Sequence, residues 1–323
     1  MDLRKVLEQK RVIVSGHRGD MTGKDENTMA AFRRALSCGC EMVETDVRMT
    51  KDGQIVLRHD SRIEGIGEIR DHTCEELRNV RPDLALLSEL AELAAAHPDL
   101  GLLIELKDVP SAAPGNGLSP VTGPAPYSGK VPACSGRIYG PEPGRQPLQA
   151  DLVPGTGHGD NGAVEESRAL ACADKACRIL LEHGLQDRVW ILSFSGRLLE
   201  YVYRKYGNTF HYHAFYPWFI QGDMDTDPAS FCELVCMQHR YLTEDGRVIR
   251  YEDPVCPESW WQDVLDMGMV PIGAPSLKTV ENFREAVRRG CRVINANDPP
   301  AIRKEFCKGE ENDIQRTCPE TDP

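Results

Sequence analysis

No stretch of this chain approaches the roughly 18 consecutive apolar residues that a membrane-crossing helix needs, although 41% of its 323 residues are hydrophobic. Stable membrane insertion is therefore not expected, while a sizeable buried core is. The opening run MDLRKVLEQK mixes charges of both signs and leads into no apolar segment or small-residue cleavage site, so it does not read as a secretory signal. Positive charge is scarce too: 38 Lys and Arg stand against 50 Asp and Glu, a formal net charge of −12. That balance opposes a role in coating nucleic acid, and a small anionic ligand would need local help from Arg, Lys or a metal. Paired C-x-x-C motifs are missing despite 12 cysteines. Cys38 and Cys40 are two apart, Cys172 and Cys177 five apart, Cys232 and Cys236 four apart, which fits neither a zinc site nor an evident disulfide frame. The cysteines read as reduced thiols of a cytoplasmic protein, most of them acting as small hydrophobes.

What is present is an alternation of short apolar strands and amphipathic helices. Val12 to Val14 form a continuous apolar strand, as in a parallel sheet covered on both faces. A turn at Gly16 leads to a helix that Asn27 or Thr28 can cap and Gly39 ends. Met42 to Val47 is a second strand, and Lys51-Asp52-Gly53 folds Gln54 to Arg58 back as a hairpin. Two helical stretches between residues 73 and 97 precede the third strand, GLLIELK. Further strands are expected at Val189 to Leu192, Thr209 to Tyr216, Glu233 to Met237, Met269 to Ile272 and Cys291 to Ile294, with helices between them. About eight alternating units predict a (β/α)8 TIM barrel, one domain spanning residues 1–308. Residues 109–161 are rich in Pro, Gly and Ser and read as an insertion after the third strand, a candidate lid. Residues 309–323 read as a disordered tail.

In such barrels the reacting groups sit at the C-terminal ends of the strands. That rule selects His17 and Arg18 after the first strand, Glu44 and Asp46 on the second, Glu105 and Lys107 on the third, and His59 at the end of the hairpin. Strand periodicity points Glu44 and Asp46 the same way. Carboxylates without competing thiolates make a hard, oxygen-rich site, suited to Mg²⁺ or Ca²⁺ rather than zinc. Imidazoles near neutrality can move protons beside it. Softer candidates for substrate contact are His211 and His213, alternating on one strand with Tyr216, Trp218 and Phe219 beyond them, and Asn295 and Asn297 at the end of the last strand.

Gly16-His17-Arg18-Gly19, Glu26-Asn27-Thr28, Glu44-Thr45-Asp46-Val47, and Lys51-Asp52-Gly53 running into His59-Asp60 together resemble the glycerophosphodiester phosphodiesterase family. The resemblance implies a TIM barrel that hydrolyses a small-molecule phosphodiester with one divalent cation. It implies His17 and His59 as an acid/base pair, Glu44, Asp46 and Glu105 as metal ligands, and Arg18 and Lys107 on phosphate. Beyond residue 107 it is only architectural. Where many members carry an aromatic Trp-Thr run on the seventh strand, this chain reads Pro271-Ile272-Gly273-Ala274-Pro275, so an aromatic wall is missing or comes from elsewhere. Three readings follow: hydrolysis of a glycerophosphodiester to an alcohol and glycerol phosphate, cleavage or synthesis of a sugar phosphodiester of the agrocinopine type by the same site, and a phosphate-binding module without turnover.

Overall fold

A computed structural model describes residues 9, 11–107, 120–121, 160–216, 224–238, 240–243, 248–250 and 255–307. Its centre is a ring of eight parallel strands: β1 Ile13–His17, β2 Met42–Met49, β3 Gly101–Leu106, β4 Val189–Leu192, β5 His211–Tyr216, β6 Leu234–Met237, β7 Val270–Gly273 and β8 Val293–Ala296. Each pairs with its sequence neighbours, and β8 pairs back onto β1, which closes the barrel. The expected (β/α)8 architecture is thus the one the chain adopts.

The helices are α1 Met29–Ser37, α2 Cys74–Val80, α3 Leu87–Ala95, α4 Asp160–Glu182, α5 Gly196–Tyr206, α6 Glu258–Asp266, α7 Val280–Arg288 and α8 Pro299–Phe306. Except for α2, whose Cys74 and Leu77 pack in a smaller cluster with Val56, Ile63, Ile69 and Leu84, their apolar faces and the outward side chains of the strands share one continuous core. Sequence reading placed most of these within a few residues and passed over α8, whose prolines sit in its first turn, where no amide donor is needed. The expected hairpin is present: β2 pairs antiparallel with Ile55–Leu57, and Gly53 takes a left-handed conformation (φ +77°) at its tip. Of the 109–161 insertion, only Pro120–Val121 and the start of α4 fall within the described residues. Pro120–Val121 pairs with Arg240–Thr243, a strand after β6 that also pairs with Val248–Arg250. The leading segment, Trp218, Phe219 and the 309–323 tail lie outside the described residues.

Inside the ring the register staggers from strand to strand, so inward side chains stack in tiers drawn from alternate strands. The lower tiers are apolar and dry: Ile13, Met42, Trp190, Leu234, Val270 and Val293 form one cluster. Trp190 is fully buried, and it fits because β3 begins with a glycine. A Cβ on Gly101 would stand 3.1 Å from Met42 and 3.2 Å from Trp190. The upper tiers turn polar, with Ser15 and His17 above Ile13, Glu44 and Asp46 above Met42, and Glu105 above Leu103. A sealed floor therefore supports an ionisable mouth. Replacing the floor's largest side chain, Trp190→Ala, is expected to lower unfolding free energy by about 3–5 kcal/mol, read from urea denaturation.

Candidate active site

The first strand leaves the barrel through Gly16-His17-Arg18-Gly19. Gly19 has φ +84°, and a Cβ there would come within 2.7 Å of the Ala31 backbone, so only glycine lets this turn pack against α1. Arg18 is itself left-handed (φ +57°), uncommon for a residue with a long side chain. Three contacts hold it: its backbone N–H donates to Glu44 Oε2 at 3.0 Å, Nη1 donates to Glu26 Oε2 at 2.8 Å, and Nε lies 3.2 Å from Asp46 Oδ2.

Glu44, Asp46 and Glu105 bring their carboxylate oxygens within 4.8 Å of one another, all three buried. Facing them are Arg18 and Lys107, whose Nζ stands 2.6 Å from Glu105 Oε1 and 3.2 Å from Asp46 Oδ1. Burial and the neighbouring Asp46 and Glu105 charges push the Glu44 carboxyl well above the usual range. Burial pushes Asp46 the same way, but Lys107, Arg18 and the two imidazoles overcome it and hold that group far below the range. Burial alone would lower the Lys107 ammonium, yet Glu105 and Asp46 raise it.

The donor set is that of a hard cation. Three carboxylates face two fixed cations, which leaves an excess negative charge. Asp46 Oδ1 and Glu105 Oε1 are buried, and each faces the Lys107 ammonium, at 3.2 and 2.6 Å. A divalent ion held by oxygen fits these residues, and all-oxygen coordination suits Mg²⁺ and Ca²⁺ alike.

Two imidazoles flank the acids. His17 Nε2 lies 3.7 Å from Glu44 Oε2, while Nδ1 is 2.6 Å from Asn297 Oδ1. With Nδ1–H donating to that amide oxygen, the lone pair of Nε2 faces the acids. Burial, reinforced by Arg18, depresses the His17 pKa to about 3, so the ring is neutral. His59 is carried on the loop after the hairpin, which Arg48 ties down by donating to the His59 carbonyl at 2.6 and 2.9 Å. Its Nδ1 is 2.8 Å from Asp60 Oδ1. Both rings are close enough to Asp46 to depress its pKa.

Residues 16–120 match the model of the glycerophosphoryl diester phosphodiesterase family, the stretch that carries every residue described so far except Asn297. Over that stretch, about a third of its length, the chain is similar to that family. It is similar to a glycerophosphodiester phosphodiesterase of Caldanaerobacter subterraneus, 40% identical over 74 residues, which is 22% of this chain and 30% of that protein. The match thus spans under a third of that relative's length. The fold extends further. The glycerophosphodiester phosphodiesterase structure from Thermotoga maritima superposes over 91% of this chain and 98% of its own, with a TM-score of 0.58 and 18% identity. An Oleispira antarctica phosphodiesterase, solved with the product sn-glycerol-3-phosphate, covers 94% and 99%, with a TM-score of 0.56 and 15% identity.

The softer candidates divide. Asn297 reaches His17. Asn295 lies one step below on β8, buried, its Oδ1 without a hydrogen bond. His213 points into the barrel but is 2% exposed, neither ring nitrogen has a partner, and burial lowers its pKa to about 3. His211 requires a correction. It pairs in register with Trp190, stacks on that ring at 5.0 Å and contacts Glu233 at 3.0 Å, so it belongs to the floor and not to the mouth. Tyr216 faces outward and donates to Asp263 at 3.1 Å.

Two features escaped sequence reading. Asn27 is not the helix cap, a role taken by Thr28, which accepts from Ala31 N–H. Buried and left-handed (φ +55°), it donates to Asp46 Oδ2 at 2.9 Å and accepts from the Thr45 hydroxyl at 2.7 Å. Its only local signal is the tolerance of asparagine for that conformation. The second is an aromatic wall, Phe194 stacked on Phe215 at 4.0 Å with Lys107 Nζ 5.6 Å from the Phe194 ring. This stack stands on the side of the barrel opposite β1 and β8. Asn27→Ala is expected to weaken divalent-cation affinity about 10–100-fold, as loss of a supporting contact does at ligand carboxylates. Calorimetric titration with Mg²⁺, alongside an unchanged circular dichroism spectrum, checks it.

Proposed function

We propose that this chain is a metal-dependent phosphodiesterase that hydrolyses a glycerophosphodiester to an alcohol and glycerol phosphate. The observation that carries the reading is the buried acid triad, opposed by Arg18 and Lys107, with the His17 ring 3.7 Å from Glu44. The family match supports the reaction class. The product bound to the Oleispira enzyme supports glycerol phosphate as the product here.

Glu44, Asp46 and Glu105 would hold the cation, which would supply positive charge to the phosphate. Arg18 offers a planar fork and Lys107 a point charge to the phosphate oxygens. His17, neutral with its Nε2 lone pair facing the acids, accepts the proton of the attacking water as the new P–O bond forms. His59, its Nδ1–H fixed by Asp60, donates from Nε2 to the leaving alcohol oxygen as the old P–O bond breaks. Asn297 selects the useful tautomer of His17. The Phe194–Phe215 stack gives the alcohol an apolar side.

A second reading keeps the site and changes the alcohol. The seventh-strand wall carries buried Ala274 where an aromatic would narrow the mouth, which favours a bulkier group such as a sugar. A panel of glycerol and sugar phosphodiesters followed by phosphorus NMR separates the two by their products. A panel that binds without turnover would instead make the chain a phosphate-binding module. His17→Ala and His59→Ala are each expected to lower kcat by about 10²–10⁴ with the circular dichroism spectrum unchanged. EDTA treatment is expected to abolish turnover, and added Mg²⁺ or Ca²⁺ to restore it.

A further inference from the structure

Ten cysteines are described, all free, and nine of them are buried. The exception is Cys38, half-buried at the C-terminal end of α1. The helix ends in a Schellman motif. Gly39, left-handed at φ +84°, donates its N–H to Leu36 O at 2.8 Å, and Cys40 N–H reaches Ala35 O at 2.9 Å. Folding back through the glycine brings the flanking thiols together, with Cys38 Sγ 3.7 Å from Cys40 Sγ. Cys40 is 5% exposed and packs in the core.

The two sulfurs differ in character. The hydrogen bond from Cys40 lowers the Cys38 pKa against the effect of burial, with Arg303 adding to the fall and Asp20 opposing it. The same bond and burial raise Cys40 well above the usual range. An accessible thiol with enhanced thiolate character beside a buried partner is the arrangement of an attacking and a resolving cysteine. The pair lies just before the N-terminal end of β2, below the Glu44 and Asp46 that the strand carries toward the barrel mouth, so it is separate from the phosphodiesterase site.

We propose that Cys38 and Cys40 form a dithiol modification site that closes to an intramolecular disulfide when it meets a small-molecule disulfide. Cys38 thiolate attacks one sulfur of the oxidant, forms a mixed disulfide and expels the first thiolate. That thiolate takes the Cys40 proton, and the Cys40 thiolate then attacks Cys38 Sγ and expels the second thiolate, which takes up the proton that Cys38 had released. One external disulfide is reduced to two thiols while the two protein thiols are oxidised. The sulfurs have only to close from contact to a bond of about 2 Å.

The test treats the full chain with oxidised glutathione, alkylates remaining thiols and digests with trypsin. Both residues fall in the peptide 35–48, which holds no other cysteine. The expected result is that peptide unalkylated and lighter by two hydrogen atoms, reverting on reduction. Cys40→Ala is expected to retain glutathione on Cys38, and Cys38→Ser to leave Cys40 free and alkylatable. Persistent glutathione on wild-type Cys38, two alkylated thiols in wild type after oxidant, or glutathione on Cys40 in Cys38→Ser would each overturn the proposal. Unchanged circular dichroism in both variants separates these outcomes from misfolding.

Discussion

Three carboxylates share a space less than 5 Å across at the mouth of a closed barrel, none of them exposed. Like charges at such distances in a poorly hydrated setting oppose one another by several kcal/mol unless a cation intervenes. Much of the upper barrel follows from that constraint. Arg18 is drawn into a left-handed conformation that puts its amide on Glu44 and its guanidinium on Asp46. Lys107 is placed two residues beyond Glu105 on the same inward face, bridging to Asp46. Asn27 donates to Asp46 Oδ2, the oxygen that Arg18 Nε also faces. Even so the fixed cations fall short of the acids in number, and Glu44 is the group left with a raised pKa.

Rigidity beneath the mouth makes this crowding possible. The floor tiers are filled by Trp190 and its aliphatic neighbours, and Gly101 clears the space the indole needs. With close-packed apolar side chains below, the acids cannot relax downward. From the side, α1 presses on the Gly16–Gly19 turn, which positions both the His17 ring and the Arg18 amide. The geometry of the candidate site thus rests on an apolar core that has no chemistry of its own.

How far the sequence revealed this depended on which geometrical quantity was needed. The barrel was legible because strand and helix periodicities alternate along nearly the whole chain. His17, Glu44, Asp46, Glu105 and Lys107 were legible because a period of two identifies the inward face and the C-terminal ends of barrel strands are where function gathers. Height within the barrel was not legible, since it is set by register between strands. His211 and His213 share a face by spacing, yet register with Trp190 puts His211 on the floor. The Phe194–Phe215 stack joins two strands whose pairing no local pattern states. Asn27 and Thr28 are both residue types that cap helices, so local pattern did not separate them, and the bond of Asn27 to Asp46 spans 19 residues.

The most direct measurement is the anomalous difference map of a crystal grown with Mn²⁺, which substitutes for Mg²⁺ at oxygen sites. One strong peak in coordinating contact with Glu44, Asp46 and Glu105, with the Lys107 ammonium displaced from between them, is the predicted result. No peak at the triad, with Lys107 still bridging Asp46 and Glu105, would contradict it and leave the acids as partners of fixed protein cations alone.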